Sequence, residues 1–424
     1  MVLASVLSVG LGCTAEPEGA AKARLDAIST ELAAALSPVR DYGQAYAALQ
    51  TADAGLADLV QRWPDTKVAR HLQQGRLEVA GLGPDDMAQL RMVLRDLAFA
   101  EDDPLSLAWV LVMSLDDPVL RLHGLNQLAQ RLTALDRDEE ALGVLDEALM
   151  LAEDSRMADF ALAELSVQLA GQGLFADADK VLGYVQDEEH RLAAAIQVLP
   201  AYARNDAVTA RTRMHAIQTL VDAIDAPLAK ARLLARLGET WAEMRDPMLA
   251  DLLFVKAERI FQDAPMNEMR GLAEDALAGS LSRSCRNDRA LALLDHPGVA
   301  PNAAYIQNRV AECLAGSGET IAAAAALRRI NAYGIGTDPD PVNRGFALAD
   351  SARVRARMGD SASALSLFGS AVALSVQTQD PVRQQLLHQF IALELGAADL
   401  DPSVDRRRLL TGMLYHHYPP AEFR

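Results

Sequence analysis

The sequence predicts an all-α fold, an α-solenoid of stacked antiparallel helix pairs, and three observations carry that prediction. Hydrophobic residues make up 50% of the chain but aromatics only 5%, and alanine is abundant throughout. Apolar surface delivered as Ala and Leu suits closely packed helices better than a β-sandwich, which draws on Val, Ile, Tyr and Thr. Short Asp/Pro punctuation returns at a near-constant period, and within each period a small and a large residue return at fixed places. At 424 residues the chain is too long for one compact core unless it is extended or divided.

Residues 1–19 read as a signal segment and tether. The stretch MVLASVLSVGLGCTAEPEG carries an apolar run of about ten residues, the length of an export-signal core. Gly12 supplies the small residue needed just before a processed cysteine, so Cys13 is expected to be the lipid-modified first residue of the mature protein. Several acyl chains on one cysteine would hold the protein at a membrane. No Lys or Arg precedes the run, and Gly10-Leu11 departs from the usual Leu followed by a small residue. The competing reading makes the segment the leading helix of a cytosolic protein; Gly10, Gly12 and Pro17 interrupt such a helix. No run of eighteen or more apolar residues occurs, so no membrane-spanning helix is expected.

Residues 20–115 read as weakly phased helices. Tyr42, Ala45 and Leu49 share one helical face, and Gly83-Pro84 and Asp102-Asp103-Pro104 break the helices that follow. Regular phasing covers residues 116–400. Helix starts are expected at Asp117-Pro118, Asp154-Ser155, Asp187-Glu188, Asp225-Ala226-Pro227, Asp263-Ala264-Pro265, Pro301-Asn302, Asp340-Pro341 and Asp380-Pro381, at spacings of 37, 33, 38, 38, 38, 39 and 40. Asp offers an N-cap oxygen, and Pro just inside a helix start forfeits no hydrogen bond. This period signals stacked helical hairpins, seven to eight of them.

Each hairpin repeats one internal pattern. Gly238 in a first helix corresponds to Ala129, Ser166, Ala278, Ala311 and Ala352 in other units. The second helices carry Ala141, Ala178, Ala210, Ala250, Ala290, Ala323 and Ala364, each followed four residues later by a large side chain: Leu145, Leu182, Met214, Phe254, Leu294, Leu327 and Phe368. Small facing large is how antiparallel helices interlock. Residues 401–424 close the chain, with a short capping helix at Arg406–Met413 before YHHYPPAEFR leaves the fold.

Residues 117–400 resemble the tetratricopeptide repeat family, in degenerate copies. LGETW at 237–241 with Ala250, Phe254 and Ala257 is the best copy, followed by LAGQGLFADADKVL at 169–182 and RMGDSASALSLFGSA at 357–371. Val198 stands where a small residue is expected, Gln197 and Ser351 replace the usual leucine, and the period exceeds 34 residues. The segment WPDTKVARHL is similar to the inter-repeat segment of bacterial envelope repeat proteins that help assemble outer-membrane components.

The net charge of -18 argues against nucleic-acid binding, which needs a basic face. Arg406-Arg407-Arg408 is too short to reverse this. Gly316-Ser317-Gly318 and Gly334-Ile335-Gly336 lack the Lys-Ser/Thr context of a phosphate loop, and Gly318 falls at the turn between paired helices. Neither a His-Glu-x-x-His nor a Gly-x-Ser-x-Gly motif is present; no enzymatic activity, metal or other cofactor is expected. Cys285 and Cys313 fall in the first helices of adjacent units, where a bridge is geometrically possible after export; buried free thiols are the commoner arrangement in such helices.

The family resemblance implies a binding face lined by first-helix residues. The candidates are His123, Asn126, Gln130, Tyr202, Arg232, Glu239, Glu243, Asp275, Arg283, Tyr305, Asn308, Glu312, Phe346, Arg353 and Arg357. Arg353 and Arg357, one helical turn apart, form the expected anchor for a carboxylate. The function expected is a non-catalytic scaffold, exported and membrane-tethered in a bacterial envelope (periplasmic or at the outer membrane), holding a peptide or protein partner in its concave groove. The alternative is a cytosolic sensor or adaptor of a regulatory system.

Overall fold

The computed structural model describes residues 16–37, 39, 41–153, 157–265, 268–294, 299, 302–330 and 338–419. Cys13 lies outside the described residues. Among them the chain is helical, without strands apart from a single Val79–Leu82 bridge, and none of the helices is long and apolar enough to cross a membrane. The chain divides into two compact units, one of residues 1–101 with 414–424 and one of residues 102–413.

The first unit holds α1 (Pro17–Leu36), α2 (Tyr42–Arg62), α3 (Lys67–Gln73) and α4 (Pro84–Ala100). Tyr42, Ala45 and Leu49 are buried, as their spacing predicts. Asp41 caps α2 through the Gln44 amide, and the buried Glu101 carboxylate accepts from the Tyr42 and Gly43 amides. An anion there complements the positive end of the helix. Residues 415–418 do not leave the fold as the sequence suggests. The last helix runs to His417, the Tyr415 hydroxyl donates to Glu101 Oε1 at 2.6 Å, and its ring meets Tyr42 edge-on. The aromatic ring and its polar tip both find partners, which holds the segment in place.

The second unit begins with α5 (Pro104–Met113). Eight pairs follow: α6 (Pro118–Ala134) with α7 (Asp138–Ala152), α8 (Asp159–Gly171) with α9 (Phe175–Leu182), and α10 (Glu188–Gln197) continued by α11 (Leu199–Asn205) with α12 (Ala207–Asp222). Then come α13 (Pro227–Glu243) with α14 (Pro247–Asp263), α15 (Glu268–Arg283) with α16 (Asn287–Ala292), and α17 (Ala303–Gly316) with α18 (Thr320–Ile330). The last two are α19 (Pro341–Arg357) with α20 (Ser361–Ser375), and α21 (Pro381–Ala397) with α22 (Val404–His417).

The caps and turns explain the period. Asp117, Asp187, Asp340 and Asp380 each accept from a backbone amide in the first turn of the following helix. Asp263 instead ends α14, and Ala226 rather than Asp225 precedes α13. Between first and second helices, one residue sits in the left-handed region: Asp136, Gly173, Arg245, Cys285, Gly318, Gly359 and Asp399. In every one of these turns but that at Asp399 the amide after it reaches back five residues, as in Arg137 N to Leu132 O and Asp246 N to Trp241 O. This closure satisfies carbonyls that the helix end leaves open.

The small-facing-large pattern is the core. All seven second-helix alanines are buried, and so are their large partners except the half-buried Leu182, which ends α9. A Cβ on Gly238 would lie 2.7 Å from Phe254 Cε1, so the α13–α14 crossing excludes a side chain there. At Val198 the first helix breaks between α10 and α11. Pro200 has no N–H for the Ile196 carbonyl, and the Thr240 hydroxyl of α13 donates to that carbonyl instead, at 3.3 Å.

The first helices pack in sequence: α6, α8, α10, α13, α15, α17, α19, α21. The series then closes on itself, because α21 packs on α5 and α6, and α5 packs on α6. A Cβ on Gly396 would lie 2.6 Å from Leu105 Cδ2, and one on Gly124 would lie 2.7 Å from Gln389 Nε2. Gln385 Nε2 donates to Leu111 O and Ser114 Oγ, both at 2.7 Å. α5, apolar nearly all round, is correspondingly buried. Sequence phasing places it with residues 20–115, yet it packs within the repeat unit. The first-helix face expected to line a concave groove is here the interior of a closed ring.

Candidate functional site

A cavity of about 580 Å³ lies inside the ring, lined by residues of α6, α8, α10, α13 and α15. Its volume is that of a small-ligand pocket. From α6 come Asn126, Gln127 and Gln130; from α8, Phe160, Glu164 and Gln168; from α10, His190 and Gln197; from α13, Arg236, Glu239 and Glu243; from α15, Arg283. Five of the sequence candidates are therefore gathered here: Asn126, Gln130, Glu239, Glu243 and Arg283.

Packing explains why these side chains face inward. Buried Leu233, Leu234 and Leu237 hold the outer side of α13, which leaves Arg232, Arg236, Glu239 and Glu243 as a stripe along the opposite side. Arg283 donates to both oxygens of Glu239, at 2.5 and 2.8 Å, and Ser280 Oγ adds a third bond at 3.0 Å. Burial and the neighbouring Glu239 raise the Glu243 carboxyl above its ordinary range. His123 stands near the rim: its Nδ1 donates to Glu164 Oε2 at 2.6 Å, while Nε2 accepts from Gln127 Nε2 at 3.0 Å. Asn126 is buried and donates to the Ala161 carbonyl at 2.9 Å.

A second group of candidates forms an ion cluster. The Arg353 guanidinium is buried and donates to Glu394, to Asp350 at 2.7 Å and to both oxygens of Glu312, at 2.6 and 3.1 Å. Arg357 also donates to Glu312, Arg309 does so at 2.7 Å, and Arg131 of α6 pairs with Glu394. Burial alone would raise the Glu312 carboxyl, but the Arg353 bonds and the surrounding guanidinium charge hold it down at about 2. The expected Arg353/Arg357 carboxylate anchor thus already holds carboxylates of this chain. Helical spacing put both arginines on one face; Asp350 comes from the same helix, Glu312 and Glu394 from neighbouring ones.

The remaining candidates lie elsewhere. Tyr202 is on α11, beyond the Pro200 break; it stacks on Phe175, lies under Arg213 and donates to Asp179 at 2.9 Å, and burial pushes its hydroxyl up to about 12. Arg232 pairs with both oxygens of Glu189, each at 2.6 Å. Asp275 accepts from Asn302, Tyr305 lies under Arg309, and buried Asn308 bonds the Ala347 carbonyl and Ser351. Phe346 meets Phe390 edge-on.

Cys285 and Cys313 form a disulfide that joins the end of α15 to α17, beside a second cavity of about 740 Å³ lined by Arg283, Arg309 and Glu312. Sequence reasoning missed Arg236, although it falls between Arg232 and Glu239 on the same helical stripe. It also missed Glu394 and Arg131, which meet only because the ring closes. No protein-family model matches the chain, and a search of curated proteins finds none that matches.

Proposed function

We propose that this protein is a non-catalytic interaction scaffold that holds a peptide segment of a partner protein inside the ring of first helices. The observation that carries this reading is the polar interior cavity. Carboxamides, carboxylates and two arginines converge from five helices onto one space of about 580 Å³. Such convergent polar groups on rigid elements are what a binding site requires. The resemblance to tetratricopeptide repeats supports the same use of the first helices.

The proposal includes export and attachment to a bacterial envelope through Cys13. The Cys285–Cys313 bridge supports it, because disulfides persist mainly in oxidising compartments. Mass spectrometry of the mature amino terminus, beside Cys13→Ser, tests the anchor: an acylated Cys13 is expected, and an intact Met1 on soluble protein contradicts it. The site is tested with a photo-crosslinking amino acid at Gln168, inside the cavity, and at exposed Met248 on α14. Adducts at 168 that disappear when Gln130→Trp fills the cavity are the expected result. Adducts at 248 alone would refute interior binding.

A further inference from the structure

Arg236 differs from the arginines around it. Arg232 is held by Glu189, Arg283 by Glu239, and Arg353 by three carboxylates. Arg236 lines the interior cavity, is half-buried, and makes no hydrogen bond or ion pair among the described residues. Of the acids whose charge acts on it, Glu239 has its oxygens taken by Arg283 and Ser280, and Glu189 is held by Arg232. Burial and repulsion from Arg283 lower the Arg236 pKa, so its charge is held at a cost that a bound anion would offset. Around the same cavity, the carboxamides of Gln130, Gln168 and Gln197 likewise have no side-chain hydrogen-bond partner among the described residues.

We propose that the interior cavity binds a peptide segment through one carboxylate, received by Arg236, while Gln130, Gln168 and Gln197 take up its amide groups. This rests on the interior-binding reading above and names its ligand chemistry. A planar guanidinium takes a carboxylate by two parallel hydrogen bonds, and carboxamides both donate to and accept from peptide groups. Glu164, Glu239 and Glu243 line the same cavity, and against Arg236, Arg283 and His190 they disfavour phosphate and polyanions. A single carboxylate on an otherwise neutral segment fits. It comes either from a chain terminus or from an acidic side chain, and the test separates the two.

Three alanine-based pentapeptides are titrated calorimetrically into the full chain: one with a free carboxyl end, one amidated with a central glutamate, and one amidated and neutral. At least one carboxylate peptide is expected to bind at least tenfold more tightly than the neutral one, and the stronger identifies the source. Arg236→Gln is expected to abolish that advantage without lowering the melting temperature, since the cation it removes has no partner. Inorganic phosphate is expected not to compete. Equal binding of the neutral peptide, an advantage that survives Arg236→Gln, a melting temperature several degrees lower in that variant, or displacement by phosphate would each overturn the proposal. Should these arms fail while crosslinking at 168 still depends on an unfilled cavity, the ligand chemistry is refuted and interior binding stands.

Discussion

Gly238 and Arg245, seven positions apart, pull stability in opposite directions. Gly238 lies inside α13, where alanine is favoured by about 1 kcal/mol in intrinsic helix propensity. Its Cβ would meet the buried Phe254 ring at 2.7 Å, and that ring has no room to retreat. Overpacking of this kind costs about 1–3 kcal/mol, so Gly238→Ala is expected to destabilise despite the propensity gain. A melting temperature at or above that of the native chain would contradict the α13–α14 register. Arg245 is exposed and left-handed at φ 62°, a conformation that costs a non-glycine residue roughly 1–2 kcal/mol. Arg245→Gly is therefore expected to raise stability by about 1 kcal/mol in urea unfolding, and a loss would show that the side chain holds a contact.

Helices α17, α19 and α21 meet through buried charges as well as hydrocarbon, and the charges make their joints sensitive to pH. Glu312 has its carboxyl held near 2 in the folded chain against an ordinary value of 4.5. A depressed carboxylate stabilises fully above its unfolded pKa and loses that contribution as pH falls through the folded one. The window is thus from about pH 4.5 down to about 2, and the contribution is on the order of 3 kcal/mol. The stability gap between the native chain and Glu312→Gln should be full at pH 6 and shrink steadily below pH 4.5; a gap constant to pH 3 would contradict it. Removing one partner of the buried Arg353–Glu394 pair, as in Glu394→Gln, should cost about 3–5 kcal/mol, because the Arg353 charge stays buried. Chemical unfolding of that variant measures it, and a cost under 1 kcal/mol would refute the pairing. Much at this scale was legible beforehand: the seven alanines, the caps at Asp117, Asp340 and Asp380, and the Gly318 turn all follow from local chemistry. Which acid meets Arg353 was not, because Glu394 lies 41 positions away and its approach depends on helix packing. Tyr202 was misjudged for a local reason: Pro200 breaks the helix, so the helical register ahead of the break does not carry past it.

Across residues 102–413, the closed ring is the feature that the periodicity leaves open. A repeat pattern specifies how each pair packs on the next, and is silent about whether the last meets the first. The joints between first helices are held differently along the series. Glu239–Arg283 ties α13 to α15, Glu312–Arg353 ties α17 to α19, Arg353–Glu394 ties α19 to α21, and Glu394–Arg131 ties α21 to α6. Gly279 stands at the equivalent place in α15, and the α15–α17 joint carries the Cys285–Cys313 bridge. With the cysteines 28 positions apart, reduction or Cys313→Ser is expected to cost about 2–4 kcal/mol, read as a lower melting temperature under reductant. Identical melting with and without reductant would contradict that role. The account depends most on ring closure, since the return of α21 to α5 and α6 is what makes the face of α6, α8, α10, α13 and α15 that lines the cavity an interior one. Spin labels at positions 114 and 385, whose native side chains hydrogen-bond at 2.7 Å, test it directly in a Cys13→Ser chain. Closure predicts strong dipolar broadening of the doubly labelled spectrum; a spectrum equal to the sum of the two singly labelled ones would show an open solenoid.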